Sequence, residues 1–249
     1  MYNYIGDKYI NKVFCDSAEF LLPKIPDASI PLVFCDPPYY SAVKELLPEE
    51  ILTFDDYLTW YEKWIKEVSR ILTEDGSFYV FVPPLEFAEV HVLIKKYFYQ
   101  RQVISWVKPN VMVRQPTARN WFPKTEFVGF YTKDEKNFTW NRLIKKYGLQ
   151  QSCNFAIEPT IYKGRGEGVG HPTQKPLRLC GKFIYASSNE GDIVLDPFCG
   201  SGTTLVAAKA LGRKFIGIDV KSKYCKLSRA RVGQYTMEDL EDKSKNAIF

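Results

Sequence analysis

Ile193-Val194-Leu195-Asp196-Pro197-Phe198-Cys199-Gly200-Ser201-Gly202-Thr203-Thr204 runs from apolar residues through a carboxylate and two glycines into a stretch whose Ala207, Ala208 and Ala210 are small. Ile193 to Asp196 reads as a buried strand and Thr203 to Leu211 as the helix that follows it. Gly200 and Gly202 let the backbone approach a ligand closely at that helix's N-terminus. Asp219 closes the next strand, Phe215 to Asp219, about 20 residues further on, where an acidic side chain accepts hydrogen bonds from ribose hydroxyls. Strand, glycine loop, helix, strand and acid make the adenosine-binding half of an α/β sheet. The dinucleotide fingerprint wants a third glycine where Leu205 stands, and a phosphate-binding loop wants a lysine directly after Gly202. What remains is a loop for an adenosine ligand without a pyrophosphate, with Asp196 able to hold a cation such as an ammonium.

A second strand end carries the other chemistry. The apolar run Ile30 to Cys35 delivers Asp36-Pro37-Pro38-Tyr39 to a strand's carboxyl end, where open α/β sheets put their ligands. Pro37 and Pro38 have no N–H, so the turn offers mainly carbonyl acceptors. Asp36 and a proline carbonyl can take the two hydrogens of an exocyclic amine, and Tyr39 can stack on the ring that bears it. Alone, the tetrapeptide equally fits a strand ending in a proline turn.

Between and around these motifs the chain alternates strands and helices. Lys12 to Asp16 reads as a short strand, and Ser17 to Leu22 as a brief helix. Tyr57, Tyr61, Trp64, Ile65, Val68, Ile71 and Leu72 fall at helical spacing from an N-cap at Asp55 or Asp56, and Thr73-Glu74-Asp75-Gly76 ends that helix. Strand Ser77 to Val82, helix Leu85 to Tyr97 and strand Gln102 to Val107 follow, then a polar loop and strand Glu126 to Thr132. Lys133 to Gly170 mixes cations with aromatic residues and reads as an insert outside the main sheet, ending in the flexible joint Gly164 to Gly170. A helix from Pro176 at its first position through Ser187 precedes the glycine-loop unit. A last helix covers about Ser222 to Val232, and the tail from Gln234 is polar and loosely held. Seven strands with helices on both faces give a single α/β domain over residues 1–249.

The composition, with 45% apolar and 25% charged residues, is ordinarily globular, and no apolar run nears the roughly 20 residues needed to span a bilayer. The six cysteines form no C-x-x-C pair and no zinc spacing, and the start lacks a signal-peptide profile, so reduced thiols and a cytoplasmic protein are expected. The net charge of +5 says less than its distribution, since Lys108, Arg114, Arg119 and Lys124 lie in a stretch without an acidic residue. His91 reads as a packing or surface histidine, and Cys199 as a bystander in the glycine loop.

Asp36-Pro37-Pro38-Tyr39 early, His171-Pro172-Thr173-Gln174-Lys175-Pro176 late, then Asp196 to Thr204 and Gly217-Ile218-Asp219 resemble the S-adenosylmethionine-dependent amino-methyltransferases of DNA. Catalytic motif first and cofactor motif last is the order of that family's β class, and the resemblance covers nearly the whole chain outside Lys133 to Gly170. It implies a circularly permuted, Rossmann-like sheet of order 3-2-1-4-5-7-6, in which Asp16 closes strand 3, Asp36 strand 4, Asp196 strand 1 and Asp219 strand 2. Asp16 would then meet the adenine amine and Asp219 the ribose. Phe198, Cys199, Gly200, Ser201, Gly202 and Thr203 would surround the methionine part, with Thr173 and Lys175 near its carboxylate.

The implied reaction is transfer of a methyl group to the N6 of an adenine flipped out of double-stranded DNA, with Asp36, Pro37, Pro38 and Tyr39 at the catalytic centre and no metal. Asp36 and the Pro37 carbonyl act as orienting acceptors, because a sulfonium donor needs alignment more than a strong base. Sequence reading would fall to a mobile loop at residues 108–125 with Lys108, Arg114, Arg119 and Lys124, and to the insert at residues 133–170 with Arg142, Lys145 and Lys146. Cytosine N4 is the near rival target. An RNA or protein-glutamine methyltransferase, a non-catalytic DNA-binding module and an NAD-dependent oxidoreductase stand further off. A homodimer and a cognate restriction endonuclease are open as additional partners.

Overall fold

The computed structural model describes residues 6–41, 47–111, 121, 123–143, 153–162, 167–171 and 173–234. Among them, the chain runs β1 (Lys12–Cys15), α1 (Ala18–Leu21), β2 (Ile30–Cys35), α2 (Phe54–Ile71), β3 (Leu72–Val82), α3 (Phe87–Ile94), β4 (Tyr99–Val107), β5 (Thr125–Thr132) and β6 (Phe155–Ile157). It continues with α4 (Leu177–Ala186), β7 (Ile193–Asp196), α5 (Thr203–Ala210), β8 (Lys214–Asp219) and α6 (Ser222–Gln234).

The strands form one eight-stranded sheet in the order β1-β8-β7-β2-β3-β5-β4-β6. β5 runs antiparallel to both β3 and β4, and the other pairings are parallel. Leaving out β6, the order is the permuted 3-2-1-4-5-7-6 arrangement, with β1 and β2 in the places of strands 3 and 4 and β7 and β8 in those of strands 1 and 2. The eighth strand corrects the expectation of seven strands and of an insert outside the sheet. Phe155 to Ile157 adds to the sheet edge beside Ser105 to Val107 of β4. Three residues are too short to show a period of two, which is why the sequence hides them.

The strands alternate their side chains between two cores. Val33 and Cys35 of β2 and Phe78, Val80 and Val82 of β3 face α1, α2 and α3. Leu32 and Phe34 of β2 and Tyr79 and Phe81 of β3 face α4, α5 and α6. Helices on both faces of the sheet follow from this two-sided burial. On α2, Tyr57, Trp60, Tyr61, Trp64, Ile65, Val68 and Ile71 are buried. Its N-cap is Thr53 rather than Asp55 or Asp56: Thr53 Oγ1 accepts from the Asp56 N–H at 3.1 Å, and Asp56 Oδ2 accepts from the Thr53 N–H at 2.9 Å. Asp56 therefore completes a capping box from the third helical position. Nor does Thr73 to Gly76 form a break, since β3 starts at Leu72 directly after the helix.

The first part of the presumed insert is fastened to the sheet end opposite Asp36. Lys133 Nζ donates to the Ser69 carbonyl at 2.6 Å, the Thr139 N–H to the Asp75 carbonyl at 3.2 Å, and the Asn141 N–H to the Ala186 carbonyl at 2.7 Å. Trp140 stacks on Phe130 with ring centroids 5.6 Å apart. Glu167 is likewise anchored, accepting from the Leu177 N–H at 3.0 Å and from Arg231 at 3.1 Å, so this end of the expected flexible joint is tied down. Gly164 to Gly166 and the tail beyond Gln234 lie outside the described residues. No helix among the described residues is long and apolar enough to cross a membrane.

Candidate active site

The parallel strands point their carboxyl ends at one edge, and four carboxylates arrive there. Asp36 follows β2, Asp196 ends β7, Asp219 ends β8 and Asp16 follows β1. The Asp16 N–H donates to the Asp219 carbonyl at 3.1 Å, and Asp16 Oδ1 accepts from the Ser17 N–H at 2.9 Å. Asp219 is built into the glycine loop: Oδ2 accepts from the Gly200 N–H at 2.9 Å and Oδ1 from the Lys221 N–H at 2.8 Å.

The loop between β7 and α5 is held rigidly. The Gly202 N–H closes a turn onto the Cys199 carbonyl at 2.7 Å, and the Cys199 N–H reaches the Ile218 carbonyl at 2.8 Å. Gly202 caps α5 at φ 78°, and a Cβ there would stand 2.3 Å from Ser228 Oγ, so both conformation and space require glycine. Thr203 Oγ1 accepts from Arg231 at 2.7 Å, and Ser201 Oγ accepts from the same guanidinium at 3.3 Å. Phe198 sets its ring edge-on against Trp60 and Trp64 of α2, at 5.9 and 5.1 Å between centroids. Cys199 is a buried thiol whose pKa burial pushes well up, so it stays protonated, as a bystander would. Burial pushes the Asp196 carboxyl up to about 7, against hydrogen bonds from Thr204 and Phe198 and with help from Asp36 and Asp219. A buried carboxylate this poorly compensated fits a cationic ligand nearby.

Asp36 sits in a network of its own. Tyr39 donates its hydroxyl to Asp36 Oδ1 at 2.5 Å, with Glu126 Oε2 3.3 Å away. Lys175 Nζ is 2.7 Å from Asp36 Oδ2 and 3.2 Å from Glu126 Oε2, and Lys108 Nζ donates to Glu126 Oε1 at 2.8 Å. Burial pushes the Asp36 carboxyl up, Lys175 pulls it back, and Glu126 adds to the rise. Glu126 is itself pushed up by burial but ends below the usual range because Lys175 and Lys108 both face it. Lys175 is thus placed with Asp36 and Tyr39.

Between Asp36 and Asp219 lies a cleft of about 880 Å³, lined by Pro37, Pro38, Tyr39, Trp60, Thr173 and Phe198 among others. That size suits a small-molecule ligand with room left beside it. His171 lines the same cleft, its ring tilted against Tyr224 with centroids 4.3 Å apart, and burial with the cations Lys175, Lys223 and Arg231 brings its pKa down to about 4. It is neutral at physiological pH. His91, by contrast, packs on Phe87 and bonds Tyr131 at 2.7 Å, away from the cleft.

The expected nucleic-acid cations divide. Lys124 is exposed at the root of the loop, whose base is closed by the Lys108 N–H donating to the Lys124 carbonyl at 2.8 Å. Lys108 is spent on Glu126 rather than free for phosphate. Arg142 is exposed but lies in the segment fastened to the far end of the sheet, because the antiparallel course of β5 carries the chain away from Asp36. Arg114, Arg119, Lys145 and Lys146 lie outside the described residues.

Sequence reasoning missed Glu126, whose only signal is a charge at the second position of an otherwise apolar strand. It also missed the joint between two loops at the end of the sheet that carries Asp36. There Asn110 donates to the Thr160 carbonyl at 2.8 Å and accepts from the Thr160 N–H at 2.7 Å.

Comparison with known proteins agrees with this arrangement. A family model described as DNA methylase, for N6 and N4 methyltransferases, matches residues 30–230. The type II methyltransferase M.HpaI of Haemophilus parainfluenzae is 31% identical over 235 residues, which cover 89% of this chain and 74% of that protein. The DNA adenine methyltransferase YhdJ of Escherichia coli strain K12 is 32% identical over 249 residues, covering 88% and 82%. Among solved structures, the M1.HpyAVI–SAM complex superposes with a TM-score of 0.70 at 26% identity, covering 89% of this chain and 98% of its own. The cytosine-N4-specific PvuII DNA methyltransferase shares the fold, with a TM-score of 0.75 at 22% identity over 92% and 89%. By the matched family model, by identity over most of its length and by a strand order that brings both motifs to one cleft, this chain belongs to the N6/N4 DNA methylase family.

Proposed function

We propose that the chain methylates the exocyclic N6 of adenine at specific sites in double-stranded DNA, with S-adenosylmethionine as donor. The observation that carries this reading is the shared cleft: Asp36 and Pro37 line it together with Asp219 and Phe198. That the relative YhdJ is a DNA adenine methyltransferase supports adenine, and the type II names of other relatives support site-specific action. S-adenosylmethionine, when bound, supplies a methyl group on a sulfonium cation. The residues present fit it: Phe198 of the glycine loop and Asp219 line the cleft, Asp16 follows the neighbouring strand β1, and the under-compensated Asp196 carboxylate beside Pro197 and Phe198 suits the cationic part.

The chain's own task is alignment. An ionised carboxylate has about four acceptor positions, of which Tyr39 and Lys175 take one on each Asp36 oxygen. The others are free for the target amine, and the Pro37 carbonyl takes its second hydrogen. These acceptors draw the amine toward tetrahedral geometry and stabilise the positive charge that develops on nitrogen. Only an extruded base can reach them, and Tyr39 offers the flipped ring a stacking face.

The test is methyl transfer from labelled S-adenosylmethionine to DNA, followed by hydrolysis to nucleosides. N6-methyladenine is the expected product, and N4-methylcytosine in its place would overturn the adenine assignment. Asp36→Ala is expected to cut transfer by at least about a hundredfold while DNA binding stays within a few-fold of wild type. Loss of DNA binding in parallel with activity would instead make Asp36 structural.

A further inference from the structure

Four charged side chains alternate in sign from the catalytic motif to the root of the 108–125 loop. Asp36, Lys175, Glu126 and Lys108 are linked in turn at 2.7, 3.2 and 2.8 Å. They come from four places: the end of β2, the segment before α4, the second residue of β5 and the residue after β4. Their side chains are 23%, 9%, 17% and 13% exposed, so the chain is mostly shut off from water. The Lys175 ammonium lies 4.6, 5.7 and 5.8 Å from the ring centres of Phe81, Tyr39 and Trp106, a niche that suits a cation.

This arrangement bears on a requirement of the amine chemistry. A protonated carboxyl turns one of its acceptor positions into an O–H donor, so Asp36 offers the amine acceptors alone only while it is ionised, and burial favours its neutral form. The groups facing Asp36 are Tyr39 on its own turn, Cys35 at the end of β2, Tyr57 on α2, Asp196 on β7, Glu126 on β5 and Lys175. Of these only Lys175 is cationic. His171, the nearest imidazole, is neutral.

We propose that Lys175 is a positioning residue for Asp36: bridging it to Glu126, the ammonium keeps the carboxylate ionised and aimed into the cleft. Glu126 holds Lys175 in place from behind, and Lys108 offsets the charge of Glu126. The proposal rests on the amine-methyl transfer reading, and it gives Lys175 a different task from the one at the methionine carboxylate that the family resemblance implies.

The two neighbours of Asp36 should act on it in opposite directions, which loss of packing would not do. In the full chain, the Asp36 carboxyl carbon is followed by carbon-13 NMR titration, assigned by its disappearance in Asp36→Asn. In Lys175→Met, Asp36 is expected to titrate at least about one pH unit higher than in wild type. In Glu126→Gln it is expected to titrate lower, because a carboxylate that opposed its charge is gone. At saturating substrates, kcat of Lys175→Met should be low where its Asp36 is protonated and recover as pH is raised through that titration, whereas the wild-type profile stays flat over the same interval. Lys175→Arg should restore the flat profile. An Asp36 titration unmoved in Lys175→Met, or moved the same way in both variants, would overturn the proposal. Should Lys175→Met fail to fold, Lys175→Gln, which removes the charge and keeps a polar group in the niche, is read in the same way: an upward move of Asp36 supports the bridge, and no move or a downward one removes it. Because the titration is read on the free chain, a wild type that methylates no DNA would sink the proposed function without touching this result.

Discussion

Asp196 ends a strand four residues long and is buried beside a small cavity lined by Cys199 and Thr204, while its neighbours Pro197 and Phe198 line the cleft of about 880 Å³. Its raised pKa has a measurable consequence for the free chain. Unfolded, the carboxyl titrates near 3.8, and folded near 7, so between those values the folded chain holds the extra proton. Stability from this group is therefore complete below the lower value, falls as pH rises across the interval and levels off above the upper one. The fall is about 1.4 kcal/mol per pH unit at most. Asp196→Asn, which keeps the shape and loses the titration, should flatten this part of the profile. Urea midpoints of both proteins at pH 5 and pH 7.5 check it, and an unchanged difference between the two pH values would refute the buried-acid account. Asp36, Asp196 and Asp219 were legible because each stands at the end of its own apolar run, a purely local signal. The partner of Asp36 was not: Lys175 lies in a motif far along the chain, and Glu126 sits on the antiparallel strand beyond β3. Nothing in the spacing of 36, 126 and 175 brings them together; only the strand order does.

At the scale of elements, the best-read helix shows how tertiary structure depends on one local device. α2 carries Trp60 to the cleft and packs Trp60 and Trp64 on Phe198, so its start helps fix the wall of the cofactor loop. Thr53→Ala removes one half of the capping box and should destabilise the chain by about 1 kcal/mol. That corresponds to a drop in Tm of roughly 2–4 °C, with methyl transfer at low temperature nearly unchanged. Differential scanning calorimetry reads the shift, and an undisturbed Tm would mean that the helix start is held by packing alone. The apolar period located α2 correctly, yet its cap lay two residues upstream of the first aspartate because a threonine with an aspartate three positions on is a weaker signal than the acid itself. Strand β6 was invisible for the opposite reason. Its place is set by backbone pairing with β4 and by Trp106 donating to the Glu158 carbonyl at 2.8 Å, and neither leaves a pattern in the local sequence.

Across the whole molecule, the two halves named by their motifs are not separate bodies. The seam is the pairing of β2 with β7, where Leu32 and Val33 stand opposite Val194 and Leu195, all fully buried. Both cores cross it, since Leu195, Ile216 and Ile218 join the α2 side while Leu32 and Phe34 join the α4 and α5 side. The permuted order, legible from motif sequence alone, thus predicts one cooperative unit in which cofactor and target sites are lost together. The tryptophans supply the test, because Trp60, Trp64, Trp106, Trp121 and Trp140 all precede the cofactor half. Leu205→Ala changes that half, where the side chain lies against Gly217, and at a site without exposure it should cost about 2–5 kcal/mol. If the sheet unfolds as one, the tryptophan fluorescence transition in urea moves to lower concentration by the same amount as the far-ultraviolet dichroism. If the halves were independent, fluorescence would keep its wild-type midpoint while dichroism split into two steps. Coincident movement would show that Asp36 and Asp196 are positioned by a single folding event.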